Sequence, residues 1–300
     1  KLITNLYSNA LLAKYNIVFL EKNKASLEEN FVEIHQLFKN GFEEEESVEQ
    51  IQLSLAQTNS RLKYAKNLLH IQEDMLKFVI GYPIDSPLKL ADELDDIFNE
   101  DLYFISLPNT DDIQNNIDIR IADNNVKAEA LLLKLEKSKA LPKVNAFINR
   151  TYTGNSNDFT FADSDQKWYG SSLLGLNVKI PIFTSLGRNA STQKAKISLD
   201  QAKTQLEETQ YKIRIEVDAA LSDYQLSIDN YYTEKENLRL AESIERKNQT
   251  KFYEGMVQSF ELRMAQLQLY TAQSNFVAAI QQVITNKLAL ETLLNQSNTK

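Results

Sequence analysis

A chain of 300 residues with 43% hydrophobic content is long and apolar enough for one large or two ordinary domains with a core. Its net charge of −8 offers no basic stripe for nucleic-acid phosphates, and the absence of cysteine rules out disulfides and thiolate metal sites. No apolar run approaches the roughly 18 residues of a membrane-spanning helix, so any entry into a bilayer is by strands.

Glycine and proline, which break helices, are missing from residues 1–40, 42–80, 109–141, 188–254 and 256–300. Those intervals are predicted as helical rods. The opening KLITNLYSNALL already runs as an amphipathic helix and lacks the basic, apolar and small-residue succession of a signal peptide, so the chain reads as a piece beginning partway through a longer protein. Residues 1–82 are expected to form a first helical hairpin that turns at Gly41. Gly81, Pro83 and Pro87 end it. An acidic, irregular segment follows over 83–118, with a short helix at LADELDDIFNE and a strand at LYFISL. Residues 119–141 return to helix, with Ile121, Val126, Leu131, Leu132 and Leu135 on or near one face.

The period then changes. In KVNAFINRTYT, Val144, Ala146 and Ile148 alternate with polar residues, and after a polar loop from Gly154 to Lys167 the alternation resumes at Leu174, Leu176, Val178, Ile180 and Ile182. Residues 142–183 are thus predicted as a β-hairpin with Tyr152, Trp168 and Tyr169 near one end. That pattern fits a transmembrane barrel segment and fits half-buried strands of a soluble sheet. Residues 184–300 form a second helical hairpin, whose first rod carries a 3,4-spaced seam through Leu199, Ala202, Leu206, Ile213, Val217, Ala220, Tyr224, Tyr231, Leu238 and Ala241. At about 1.5 Å per residue such a rod needs neighbours along its length.

The two helical hairpins repeat one another. Displacing the chain by 214 residues lays Phe38, Gly41, Gln52, Leu53, Leu55, Ser60, Ala65 and Leu76 on Phe252, Gly255, Gln266, Leu267, Leu269, Ser274, Ala279 and Leu290 without a gap. The apolar seams coincide, and a polar interruption recurs at Gln72 and Asn286. A lone glycine between two rods in each copy is read as a left-handed helix terminator, which makes Gly41 and Gly255 the turns.

Residues with catalytic chemistry are few. His35 and His70 are the only histidines, the Glu-x-x-His order of di-metal bundles is missing, and there is no phosphate loop, nucleophile elbow or cysteine nucleophile. No metal, cofactor or enzymatic activity is expected. The acidic run Glu43 to Glu46 is read as a solvated first turn, where carboxylates suit the positive end of the helix dipole.

Trp168, Gly170, Pro181, Ile182, Phe183, Gly187 and Arg188, leading into a long helix rich in alanine and glutamine, resemble the TolC-type outer membrane efflux proteins. The second turn, KFYEGMVQSFELRMAQLQLYTAQSNF, does so as well. The likeness covers the whole chain from midway through the first of that family's two repeats. It implies a mainly α fold: long coiled-coil-like helical hairpins in two repeats, with a transmembrane β-hairpin contributing to a trimeric β-barrel above an α-helical tunnel. It further implies a homotrimer in the outer membrane with most of the chain in the periplasm. Such a trimer passes small molecules from an inner-membrane pump and a periplasmic adaptor (membrane fusion protein).

On this reading Phe38, Gly41, Phe252 and Gly255 form the adaptor-docking tip, and Glu261 an acidic ring at the periplasmic entrance. Leu174, Leu176, Val178, Ile180 and Ile182 face lipid, while Asn177 and Lys179 face the barrel lumen. The sequence departs from the family pattern in two ways. Met264 stands where a second entrance acid can occur, with Ser47 and Gln50 in the first repeat, and only one β-hairpin is present, so three such chains would not close the barrel. The alternatives are a periplasmic adaptor, which would carry one helical hairpin within a β-domain, and a structural coiled-coil protein, which has no need of the alternating strands.

Overall fold

The structure, a computed structural model, describes residues 2–91, 113–183 and 185–294. It is mainly helical: α1 (Leu2–Lys39), α2 (Glu45–Ile80), α3 (Ile117–Ser138), strands β1 (Lys143–Gly154) and β2 (Trp168–Lys179), α4 (Gly187–Tyr253) and α5 (Ser259–Leu293). Of the helix expected over 90–100 only Leu90 and Ala91 are described, and neither is helical; the rest of it and the strand over 102–107 lie outside the described residues. The chain divides into two compact units, Lys1–Asn116 with Ile213–Lys300, and Ile117–Lys212.

The first unit joins the two helical hairpins. Heptad-spaced Leu27 and Ile34 of α1 meet Val48 and Ile51 of α2, Phe252 of α4 and Leu262 of α5 in one buried cluster. Further along, Ile17, Leu62 and Ala65 form a second cluster. α4 and α5 are held by the tilted ring pair Tyr231–Phe276, with centroids 5.6 Å apart, and by Asn286, whose Nδ2 donates to the Asp223 carbonyl at 2.9 Å. The polar interruption at Asn286 is therefore an interhelical bond. Within this unit the α4 seam is buried at Ile213, Val217, Tyr224, Tyr231, Leu238 and Ala241, and Ala202 is its buried position in the second unit. Ser227 joins it unannounced, because its hydroxyl donates to the Tyr224 carbonyl at 2.7 Å and so needs no solvent.

α5 is buried more widely than its repeat partner α2. It hides the stripes Leu262–Leu269–Phe276–Val283–Leu290 and Ala265–Ala272–Ala279, and also a third, Gln266–Gln273–Ile280. The first two recur in α2. Its third, Gln52–Asn59–Lys66, is exposed. At the far end, Asn116 Nδ2 donates to the Leu293 carbonyl at 2.8 Å, satisfying an acceptor that the helix end leaves open. Lys77 is buried near the end of α2, where its ammonium donates to the Ile84 carbonyl at 2.9 Å and pairs with Asp74 at 3.2 Å, which offsets the cost of burial.

In the second unit β1 and β2 pair antiparallel from Lys143↔Lys179 to Gly154↔Trp168. One face carries Val144, Ala146 and Ile148 opposite Val178, Leu176 and Leu174, then Arg150 opposite Ser172, and ends in Tyr152 and Trp168. The other carries Asn145 opposite Asn177 and Lys143 opposite Lys179. The strand corrects the sequence reading at one end: the alternation continues through Ile180 and Ile182, but the ladder stops at Lys179. β1 begins at Lys143, Pro142 before it has no N–H to donate, and Pro181 has none either.

Candidate functional site

The tips of both helical hairpins lie within the first unit and share one backbone design. In the first, Gly41 has φ of 77°, its N–H donates to the Phe38 carbonyl at 2.9 Å, and the Phe42 N–H reaches the Leu37 carbonyl at 2.9 Å. In the second, Gly255 has φ of 70°, with bonds to Phe252 at 3.0 Å and from Met256 to Lys251 at 2.8 Å. These are two Schellman terminators in the same register of the repeat, each requiring a left-handed residue. No heavy atom lies within 4 Å of where a Cβ would stand on either glycine, so the requirement is conformational and not one of space.

The tips are tied to one another. Glu43, just after the first turn, accepts from the backbone N–H of Ser259 at 3.4 Å, and the Ser259 hydroxyl bonds the Ser47 hydroxyl at 3.1 Å. A carboxylate from one hairpin thus meets the positive end of the other hairpin's helix. The sequence reading had left Glu43 to solvent. A contact spanning 216 residues leaves no local signal.

The four expected docking residues separate into two kinds. Phe252 is buried and Phe38 half-buried, both packed against the cluster around Leu262. Gly41 and Gly255 are exposed. Directly after the glycines, Phe42 at 79% and Met256 at 68% are exposed apolar side chains. They occupy equivalent positions in the repeat. An aromatic one turn before the glycine points back over the preceding turn, and the residue after it projects outward.

Glu261 is exposed in the first turn of α5, and its Oε2 accepts from the backbone N–H of Gln258, the N-cap, at 3.1 Å. This is the acid half of a capping box, a role fixed inside the chain. Arg263, two residues on, lies over the Phe260 ring at 5.3 Å from its centroid. Among the described residues neither histidine belongs to a group of side chains that could hold a metal ion. His35 stacks on Phe31 at 5.6 Å, and the exposed His70 Nδ1 pairs with half-buried Asp74 at 3.0 Å. Between α1, α4 and α5 lies a polar pocket lined by Asn23, Glu245, Arg246, Tyr270 and Gln273. Burial raises the Glu245 carboxyl pKa, opposed by a hydrogen bond to Gln266 and by Arg246, and burial also raises the Tyr270 phenol.

In the second unit the β-hairpin exposes Leu174, Leu176 and Val178 on one face, with Ile148 and Val144 opposite, and Ile180 and Ile182 exposed just beyond the ladder. Asn177 and Lys179 lie on the other face. That face also holds Phe147, whose ring covers Gly175 so closely that a Cβ there would come within 2.4 Å. The pair is a missed feature whose only trace is one aromatic out of phase with the alternation.

The whole chain is similar in fold to solved outer membrane proteins. VceC of Vibrio cholerae aligns with a TM-score of 0.75 at 16% identity, over 97% of this chain and 68% of its own. CusC, described in terms of folding and transmembrane channel formation, aligns with a TM-score of 0.79 at 17% identity over 97% and 66%. The MtrE outer membrane channel of Neisseria gonorrhoeae, in its open state, aligns with a TM-score of 0.75 at 16% identity over 97% and 64%. The chain therefore spans about two thirds of the length of these proteins. Among curated protein sequences none matches it. The family model for the outer membrane efflux protein matches residues 111–296, more than half of the chain, and the chain belongs to that family.

Proposed function

We propose that this chain builds the periplasmic tunnel and part of the outer-membrane barrel of an efflux channel. As a homotrimer it passes small molecules received from an inner-membrane pump through a periplasmic adaptor. The observation that carries this reading is the β-hairpin. A two-stranded ribbon is marginal in water, and this one exposes Leu174 at 76% and Leu176 at 74% on an apolar face with Val144, Ile148 and Val178, beyond which Arg150 and Ser172 precede Tyr152 and Trp168 at the end. Lipid or further barrel strands supply the cover that the ribbon lacks. Family membership and the fold of VceC, CusC and MtrE support the same placement. The tips around Gly41 and Gly255, with Phe42 and Met256 projecting, are the surface that meets the adaptor. Glu261 contributes a carboxylate near the entrance beyond its capping bond.

The test is deletion of the gene followed by complementation. Complemented cells should regain resistance to toxic small molecules, and the protein should float with outer membranes on a density gradient. Recovery in the soluble fraction after mild washing, with resistance unchanged by deletion, would overturn the reading in favour of a periplasmic structural protein.

A further inference from the structure

Asn30 of α1 is a carboxamide with none of its surface exposed, and the protein accounts for only one end of it. Its Oδ1 accepts from the Tyr253 hydroxyl at 3.0 Å, but among the described residues nothing accepts from its Nδ2. A buried donor in that position has given up its bonds to bulk water and gained none in return, so a further group is needed to satisfy it. Helix packing does not call for the residue. The equivalent position of the second hairpin, 214 residues on, is Ile244, so an aliphatic side chain serves the same step of the repeat.

The amide borders a small space between α1, α2 and α5. About 20 Å³ in volume, it is lined by Asn30 with Ser47, Ser54 and Ser259, and walled by aliphatic side chains that include Leu27 and Leu262. A space of about 10–15 Å³ suffices for one water molecule when about two to four polar partners surround it. The hydroxyls offer both senses of bond. Ser54 already donates to the Gln50 carbonyl at 2.9 Å, so its oxygen is left as an acceptor. Ser47 and Ser259 share one bond at 3.1 Å, which uses one of their two protons and leaves the other, with their lone pairs, for a third partner.

We propose that this space is a binding site for a single water molecule, which accepts from Asn30 Nδ2, donates to the Ser54 hydroxyl oxygen and bonds the Ser47–Ser259 pair, so that it links three helices drawn from both hairpins. The other occupant that a buried donor suits is a small anion, drawn by the start of α5 and by Arg263, which also lines the space. Two carboxylates already stand at that helix end. Glu43 takes the Ser259 N–H and Glu261 takes the Gln258 N–H. They answer the positive end of the helix and repel a further negative charge, which favours the neutral ligand. The site depends neither on what the channel passes nor on how copies of the chain associate.

The test is a crystal structure of the intact protein, at a resolution that shows ordered water, for the wild type and for Asn30→Ile, which installs the residue that the second hairpin carries at the equivalent position. The wild-type map should show one peak within hydrogen-bond distance of Asn30 Nδ2 and of at least one hydroxyl among Ser47, Ser54 and Ser259, and Asn30→Ile should lose it. A crystal soaked in bromide should show no anomalous peak there. Magnetic resonance of the protein in lipid, labelled at asparagine side chains, gives a second reading. Magnetisation should pass from water to the Asn30 amide, whose signal is identified by its loss from Asn30→Ile. A wild-type map without the peak, an Asn30 amide that receives no magnetisation from water, or a peak that survives in Asn30→Ile overturns the site. A bromide signal at the peak overturns the neutral ligand in favour of an anion.

Discussion

Replacing Gly255 with alanine isolates the conformational demand of the second tip. Nothing lies within 4 Å of the site a Cβ would occupy, so no packing term enters, and the cost is that of holding a side chain at φ of 70°. A left-handed L-residue costs roughly 1–2 kcal/mol, which is a factor of about 5–30 in the local folded-to-unfolded ratio. Gly41, at φ of 77° and equally open, should cost the same. Asparagine, which tolerates this region, should cost less than alanine, and valine, branched at Cβ, should cost more. Amide hydrogen exchange of Phe252 to Met256 reads the effect locally, where the two Schellman hydrogen bonds open. The order Asn, Ala, Val in increasing exchange supports the reasoning. Equal protection in all three variants and the wild type would show that the terminator does not hold the tip, and the repeat of Gly41 and Gly255 would then need another explanation.

Leu262→Ala removes a buried side chain at the point where both hairpins meet, and should cost about 2–5 kcal/mol in urea unfolding of the detergent-solubilised protein. Glu245 holds its proton more tightly in the folded state because it is half-buried, so its contribution is favourable below the ordinary carboxylate range and is lost as pH rises through the raised value. Glu245→Gln should therefore stabilise the protein at neutral pH and lose that advantage on acidification, as read by thermal melts across pH. Glu261→Gln keeps a capping-box partner while removing the charge, whereas Glu261→Ala loses both. In single-channel recordings of the intact protein, cation preference should fall in both variants, and only the alanine form should lose protection at the start of α5. Unchanged ion preference in both would confine Glu261 to its capping role.

Much of this architecture is legible in the residues because long helices repeat their signals. The glycine turns, the α4 seam and the antiparallel strands all follow from periods sustained over many residues. What escaped reading has a common physical cause. Gln266 and Gln273 are buried at 4% and 8% exposure, yet as polar residues on a helix they look like surface, and only an interhelical partner such as Asn23 reveals them. Glu43 binds across the fold to Ser259 and so resembles any first-turn acid. The alternation at Ile180 and Ile182 continues past the ladder because side-chain pattern does not record where the partner strand has run out of N–H donors. Phe38 and Phe252 stand one turn before the glycines in the sequence, but their direction depends on helix geometry that sends them inward, leaving Phe42 and Met256 outside.

The central claim is that one face of the β-hairpin meets lipid, and adjacent residues of β2 test it directly. Leu176 lies on the apolar face opposite Ala146, and Asn177 on the other face opposite Asn145. An arginine facing hydrocarbon near the middle of the membrane costs about 2–4 kcal/mol, whereas one facing the lumen stays hydrated. The measurement is the yield of folded, outer-membrane-assembled protein for Leu176→Arg and Asn177→Arg in the intact chain. The account predicts that Leu176→Arg sharply reduces assembly while Asn177→Arg assembles close to wild type. Equal yields from the two variants would contradict it.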